Sequence, residues 1–120
     1  MPKVVSQDLT DNPDINLGGQ IMFARVTSAQ VDPKSIEQCV KIYEESVVPA
    51  AKEQKGFVAI SLLVNPKTGE FLSIGYYESE EDAVASERNL FYQEQAAKFI
   101  PYYIKQPIRE GYEVMVDEKK

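Results

Sequence analysis

Residues 57–78 read FVAISLLV-NPKTG-EFLSIGYYE. The flanking runs are rich in β-branched, aromatic and large aliphatic residues, and Asn65-Pro66-Lys67-Thr68-Gly69 between them is built from turn formers. This pattern predicts a β-hairpin of strands Phe57 to Val64 and Glu70 to Glu78. A strand with one wet face alternates apolar and polar residues. Phe57 to Val64 is instead apolar at both alternating sets of positions, Ser61 excepted, so both of its faces are expected to be covered.

Working outward, Ser79 followed by Glu80-Glu81-Asp82 has the chemistry of a helix N-terminus, where a hydroxyl cap and acidic side chains satisfy free amides and favour the positive end of the dipole. This helix is expected to run to about Ile100 and to break near Asn89, because its apolar stripe does not continue smoothly into Ala96, Phe99 and Ile100. Pro101 and Pro107 then bracket a connection to a last strand, Arg109 to Val116. On the N-terminal side, Gln20 to Thr27 (QIMFARVT) reads as a first strand, and Asp32-Pro33 marks the start of a following helix. Ile36, Val40, Tyr43, Val47 and Ala51 fall on one face of that helix, Pro49 is expected to kink or end it, and Gly56 closes the segment. Residues 1–19, with Asp8, Asp11, Pro13, Asp14 and Gly18-Gly19, show no sustained period and read as an N-terminal arm; residues 20–120 form the domain.

The order βαββαβ describes an α+β domain of ferredoxin-like type, an antiparallel four-stranded sheet with two helices on one face. That leaves the other sheet face bare, although Ile21 to Ala24 and Val58 to Val64 carry apolar residues toward both faces. Leaving about eight such side chains exposed, at roughly 1.5 to 3 kcal/mol each, exceeds the ~5–15 kcal/mol margin of a small domain. A second copy is the simplest cover. The expected assembly is a homodimer joined sheet to sheet, a dimeric α+β barrel.

At 120 residues the chain holds one core. A net charge of −6, with 13 basic residues scattered along the chain, provides no footprint for a phosphate backbone. RNA-recognition domains share the strand and helix order, and Phe71, Tyr76 and Tyr77 stand on the third strand, but this acidity excludes nucleic acid as the expected partner. No apolar run approaches the roughly 20 residues that cross a bilayer, so no membrane is implied and the location expected is cytoplasmic. Cys39 is the single cysteine and reads as a small core residue. Histidine is absent, which removes the commonest general base and metal ligand. Glu78, Glu80, Glu81 and Asp82 read as capping and solvation at a helix start, and no metal is implied.

From Gly19 to Val116 the chain resembles the antibiotic-biosynthesis-monooxygenase type of dimeric α+β barrel. The likeness is carried by the strand Ile21 to Val26, by Val48-Pro49-Ala50-Ala51 before Lys55-Gly56-Phe57, and by Tyr76-Tyr77-Glu78-Ser79-Glu80-Glu81-Asp82-Ala83. This resemblance implies a cofactor-independent monooxygenase acting on a small aromatic substrate that supplies the reducing power itself. Tyr77 stands where the family often has Trp, and the family's helix histidine falls near Glu87, so no histidine role carries over and haem degradation is not expected. Tyr77, Phe91 and Tyr92 could line an aromatic pocket, with Arg88 or Asn89 supplying polar contact; packing at the core or dimer interface accounts for the same residues. Arg25 lies in the middle of an apolar strand, where it either meets a carboxylate across the dimer or orients an anionic ligand. A non-catalytic homodimer binding a small ligand or a protein partner is the alternative.

Overall fold

A computed structural model describes residues 21–120; the expected N-terminal arm and Gln20 lie outside the described residues. Strand β1 (Phe23–Val31) leads into a single 3-10 turn at Pro33–Ser35, helix α1 (Ile36–Ile42), a π turn (Tyr43–Val47) and helix α2 (Val48–Lys52). The hairpin of β2 (Phe57–Val64) and β3 (Glu70–Tyr77) follows, then α3 (Glu80–Arg88), α4 (Phe91–Ala97) and β4 (Tyr103–Glu113). The sheet has four strands in the order β2-β3-β1-β4, and its pairings are antiparallel. The α+β class and the βαββαβ order are those expected.

Local chemistry accounts for the element ends. Asp32 accepts from the Lys34 amide at 2.9 Å and opens the first helical segment. Pro49 has no amide to donate, and the chain accommodates it with the π turn just before it, where the Val48 N–H reaches back to the Tyr43 carbonyl. Cys39, Tyr43, Val47 and Ala51 are the buried positions of this segment, so the apolar stripe does face the core. Ser79 accepts from the Asp82 amide at 3.2 Å to start α3. The expected break near Asn89 is a two-residue hinge, in which Leu90 takes a left-handed φ of 69° and Asn89 Oδ1 accepts from the Phe91 amide at 3.0 Å.

The boundaries that differ most from the sequence reading are the end of β1 and the start of β4. β1 continues past Thr27 to Val31, and β4 begins at Tyr103 rather than Arg109, so that Pro107 lies inside a strand. A proline is tolerated there because β4 is an edge strand and is bulged at that point. Its register against β1 slips between Ser28 and Gln30, whose partners are Ile108 and Lys105, and again between Gln30 and Val31, whose partner is Tyr103.

The registers sort the two faces. Toward the helices lie the rows Ile60–Gly75–Arg25–Gly111 and Leu62–Ser73–Thr27–Arg109. Away from them lie Ala59–Tyr76–Ala24–Tyr112, Ser61–Ile74–Val26–Glu110 and Leu63–Leu72–Ser28–Ile108. Among the described residues no helix covers the second face, and Leu63, Leu72, Ile108 and Tyr112 stand 49, 40, 60 and 51 % exposed on it. The other face packs on the helices through a cluster of Val31, Cys39, Tyr43, Val47 and Phe99. Cys39 is thus a core residue, its thiol pushed above its ordinary pKa by burial.

Candidate functional site

The sheet and the helices do not close completely on each other. Between them lies a cavity with about 90 Å³ of free interior, within an empty space of about 850 Å³ that runs out to its open mouth. One water requires roughly 10–15 Å³ on this scale, so the interior holds several waters or one ring, and anything larger extends into the mouth. Its walls are apolar over most of their area, with Val31, Val47, Ile60, Leu62, Phe71 and Phe99 contributed by both sheet and helices.

Polar groups enter at defined places. Tyr43 projects from the π turn, shares a 2.7 Å hydrogen bond with the Ser73 hydroxyl, and donates to the Ser61 carbonyl at 3.3 Å. Burial raises the Tyr43 pKa, opposed by the Ser73 bond and assisted by Tyr77 nearby. Tyr103, at the start of β4, is pushed up to about 12, chiefly by burial and then by Tyr92 and Cys39. Both phenols therefore stay protonated across the ordinary pH range.

The charged part of the cavity wall is Arg25 and Arg109, and Glu87 pairs with both from α3. Arg25 and Arg109 are diagonal neighbours on adjacent strands, since Arg25 faces Gly111 and Thr27 faces Arg109. Gly111 leaves the space that the Arg25 guanidinium uses; a Cβ there would stand 2.9 Å from Arg25 Nη1 and 2.6 Å from the Phe23 ring. Glu87, on the last turn of α3, reaches down to both cations with one oxygen, accepting from Arg25 Nη2 and, at 2.9 Å, from Arg109 Nε. Arg109 also lies over the Tyr92 ring, 3.6 Å from its centroid. Burial lowers the Arg109 pKa and the neighbouring Arg25 charge adds to this, while Glu87 holds it up. Two cations share a single carboxylate, which leaves this end of the cavity positive.

The structure therefore brings Arg25, Tyr77, Phe91 and Tyr92 together as cavity walls. It leaves Arg88 and Asn89 outside: Arg88 is exposed at the end of α3, and Asn89 faces outward, spending its side chain on capping α4 and on a 2.8 Å hydrogen bond to Gln54. The helical period explains this, because Glu87 is the residue of that turn directed at the sheet. Arg25 pairs within its own chain, with Glu87. Glu87 and Arg109 were missed as a site. A charge on an otherwise apolar strand was the available signal for Arg25; β4 also carries Lys105, Gln106, Glu110 and Glu113, so Arg109 had no such signal.

The Tyr103 geometry carries a pH prediction. A folded-state pKa raised to about 12, against roughly 10 in an unfolded chain, means that the fold favours the neutral phenol. Its contribution is complete below about pH 10 and is lost as pH rises toward 12. Urea unfolding midpoints are expected to fall across that window, and less steeply in Tyr103→Phe; equal slopes would show that Tyr103 is not the titrating group.

No family model matches the chain. Two uncharacterized proteins of Mycobacterium tuberculosis, from strains CDC 1551 / Oshkosh and ATCC 25618 / H37Rv, are each 32% identical to it over 68 residues, or 57% of this chain and 29% of theirs. The chain thus spans less than a third of the length of these curated relatives. Solved structures match more completely. A protein of unknown function from Nitrosomonas europaea aligns with a TM-score of 0.69 at 16% identity, covering 86% of this chain and 98% of its own. A candidate antibiotic biosynthesis monooxygenase from Caulobacter crescentus aligns at 0.67 and 16% identity, covering 85% and 97%. A Streptomyces coelicolor monooxygenase in complex with the ligand nanaomycin D aligns at 0.65 and 18% identity, covering 90% and 99%. The fold is that of the antibiotic-biosynthesis-monooxygenase proteins, as the sequence resemblance implied.

Proposed function

We propose that the protein is a cofactor-independent, monooxygenase-like homodimer that binds a small aromatic substrate between its sheet and helices. The observation that carries this reading is the combination of an apolar, aromatic-walled cavity with two guanidinium groups served by one carboxylate. Cations within a few ångströms favour the ionised form of a bound phenol by about 1–3 pKa units. The phenolate of an electron-rich hydroxyarene is the species that gives an electron to dioxygen. Its proton leaves to water at the open mouth, the radical pair joins as a carbon-bound peroxide that takes a proton back from water to become the hydroperoxide, and loss of water yields the quinone. A hydroxyarene and one dioxygen thus become a quinone and one water, with all reducing electrons drawn from the substrate.

The Streptomyces coelicolor monooxygenase, crystallised with nanaomycin D, supports an aromatic ligand for this fold. Homodimerisation is supported by the uncovered sheet face, whose apolar side chains line a broad groove at Leu63, Leu72 and Ile108. The protomer measures 50 × 30 × 21 Å, the outline of a sheet with helices on one side. A cytoplasmic location is part of the same proposal; among the described residues no helix is long and apolar enough to cross a membrane.

Oxygen consumption in the presence of a panel of hydroxynaphthalenes tests the reading. The expected result is substrate-dependent uptake with quinone formation, reduced about tenfold or more in Arg109→Gln, whose loss removes a charge-assisted contact. Tight binding without oxygen uptake across the panel would replace it with the non-catalytic ligand-binding module, for which the lack of any histidine base already speaks.

A further inference from the structure

Glu87 is an unusual occupant of the place it holds. It is more exposed than its partners, with its side chain 31% exposed against 19% for Arg25 and 14% for Arg109. It serves both cations through one oxygen, Oε2, and its contacts leave the arginines incompletely satisfied. Arg25 Nε is fully buried and has no hydrogen-bond partner. Buried guanidinium donors are costly to leave unmade, and a carboxylate meets an arginine best with both oxygens. The residue belongs to the last turn of α3, immediately before the hinge at Asn89 and Leu90, where helix geometry ends.

We infer that Glu87 is a resident stand-in for a ligand carboxylate, and that the protein takes aromatic carboxylates by exchanging Glu87 for the ligand's own carboxylate on Arg25 and Arg109. This rests on the reading of the cavity as an aromatic site and names the class of molecule it selects. The ligand's ring system lies against Tyr77, Phe91 and Tyr92 and its acid end faces the paired guanidiniums. Glu87, already part-exposed, swings toward water, where a carboxylate is well solvated. The exchange keeps one negative charge between the two cations before and after, so the ligand gains affinity only through the second oxygen, the ring contacts and the solvation Glu87 recovers. A neutral analogue cannot make it, because displacing Glu87 without replacement would leave two adjacent buried cations unpaired.

The test is an anaerobic fluorescence titration of the protein with 2-naphthoate and with its neutral methyl ester. The wild-type protein is expected to bind the acid at least about tenfold more tightly than the ester. Arg25→Gln and Arg109→Gln are expected to abolish that preference, while Glu87→Gln, which removes the resident competitor, tightens the acid several-fold, by more than it changes the ester. An ester that binds wild type as tightly as the acid, or no binding of either, overturns the proposal, and this comparison needs no variant to fold. So does a Glu87→Gln protein, folded by circular dichroism, whose affinity for the acid is unchanged or weaker. Acid-selective binding without oxygen uptake by any hydroxyarene would leave the exchange standing and remove the oxygenase reading. Oxygen uptake with neutral hydroxyarenes and no preference for acids would do the reverse.

Discussion

Leu63→Glu is expected to convert a dimer into monomers or into insoluble protein. Leu63 lies on the face that no helix among the described residues covers, opposite Leu72 and in one row with Ser28 and Ile108. Leu63, Leu72 and Ile108 are 40 to 60% exposed in the protomer, so each has roughly half of its ~1.5–3 kcal/mol of burial free energy still to gain from a partner. In the proposed homodimer, two copies of the same face supply it twice over about a two-fold axis. A carboxylate in the middle of that interface meets either apolar side chains or its own symmetry mate, and an unpaired buried charge costs several kcal/mol. Light scattering on the size-separated protein, at several concentrations, reads the outcome. Ile60→Glu is the control, since Ile60 faces the cavity; it should disrupt the fold itself and lose its circular dichroism, whereas Leu63→Glu should keep it while any monomer stays soluble. A monomeric wild type, or wild-type-sized dimers from both Leu63→Glu and Leu72→Glu, would sink the homodimer.

The architecture was legible because its signals are local. A turn of five residues between two apolar runs, a Ser followed by three acids, and a proline beside an aspartate each fix one junction with short-range chemistry. The strand ends were less so. β1 was cut at Thr27 because Ser28, Ala29 and Gln30 have little strand preference, and pairing with two neighbours overrides it. Pro107 looked like an interruption, and only the edge position of β4 makes it admissible within a strand. That error hid the site. Placing Arg109 beside Arg25 requires the β1–β4 register, and two successive bulges displace that register from anything residue counting gives. Phe91, Tyr92 and Tyr77 could be named from residue type alone, while Glu87 could be separated from Arg88 and Asn89 only by knowing which side of α3 meets the sheet.

Gly69→Val is expected to destabilise the protein by about 3 kcal/mol or more and to lower Tm by about 10 °C or more. Gly69 ends the hairpin turn with φ at 82°, a conformation that a β-branched residue adopts only under strain. Its amide donates to the Asn65 carbonyl at 2.8 Å, and its own carbonyl accepts from the Val31 amide at 3.0 Å, so the turn is tied to the end of β1. A Cβ at this position would collide with the Val31 carbonyl oxygen, which is backbone and cannot rotate away. Relief therefore has to come from moving the turn off β1 and breaking the bond to Val31, the most tightly buried member of the cavity wall. Gly75→Ala separates this from a general intolerance of glycine replacement. Gly75 has an ordinary φ, and its added Cβ would make only a 3.5 Å contact with the Tyr77 ring, so the cost there should stay below about 1 kcal/mol. Thermal unfolding of the two variants decides it. Equal losses would mean that the turn yields without disturbing β1, and that the cavity wall at Val31 is held by its apolar neighbours and not by the hairpin.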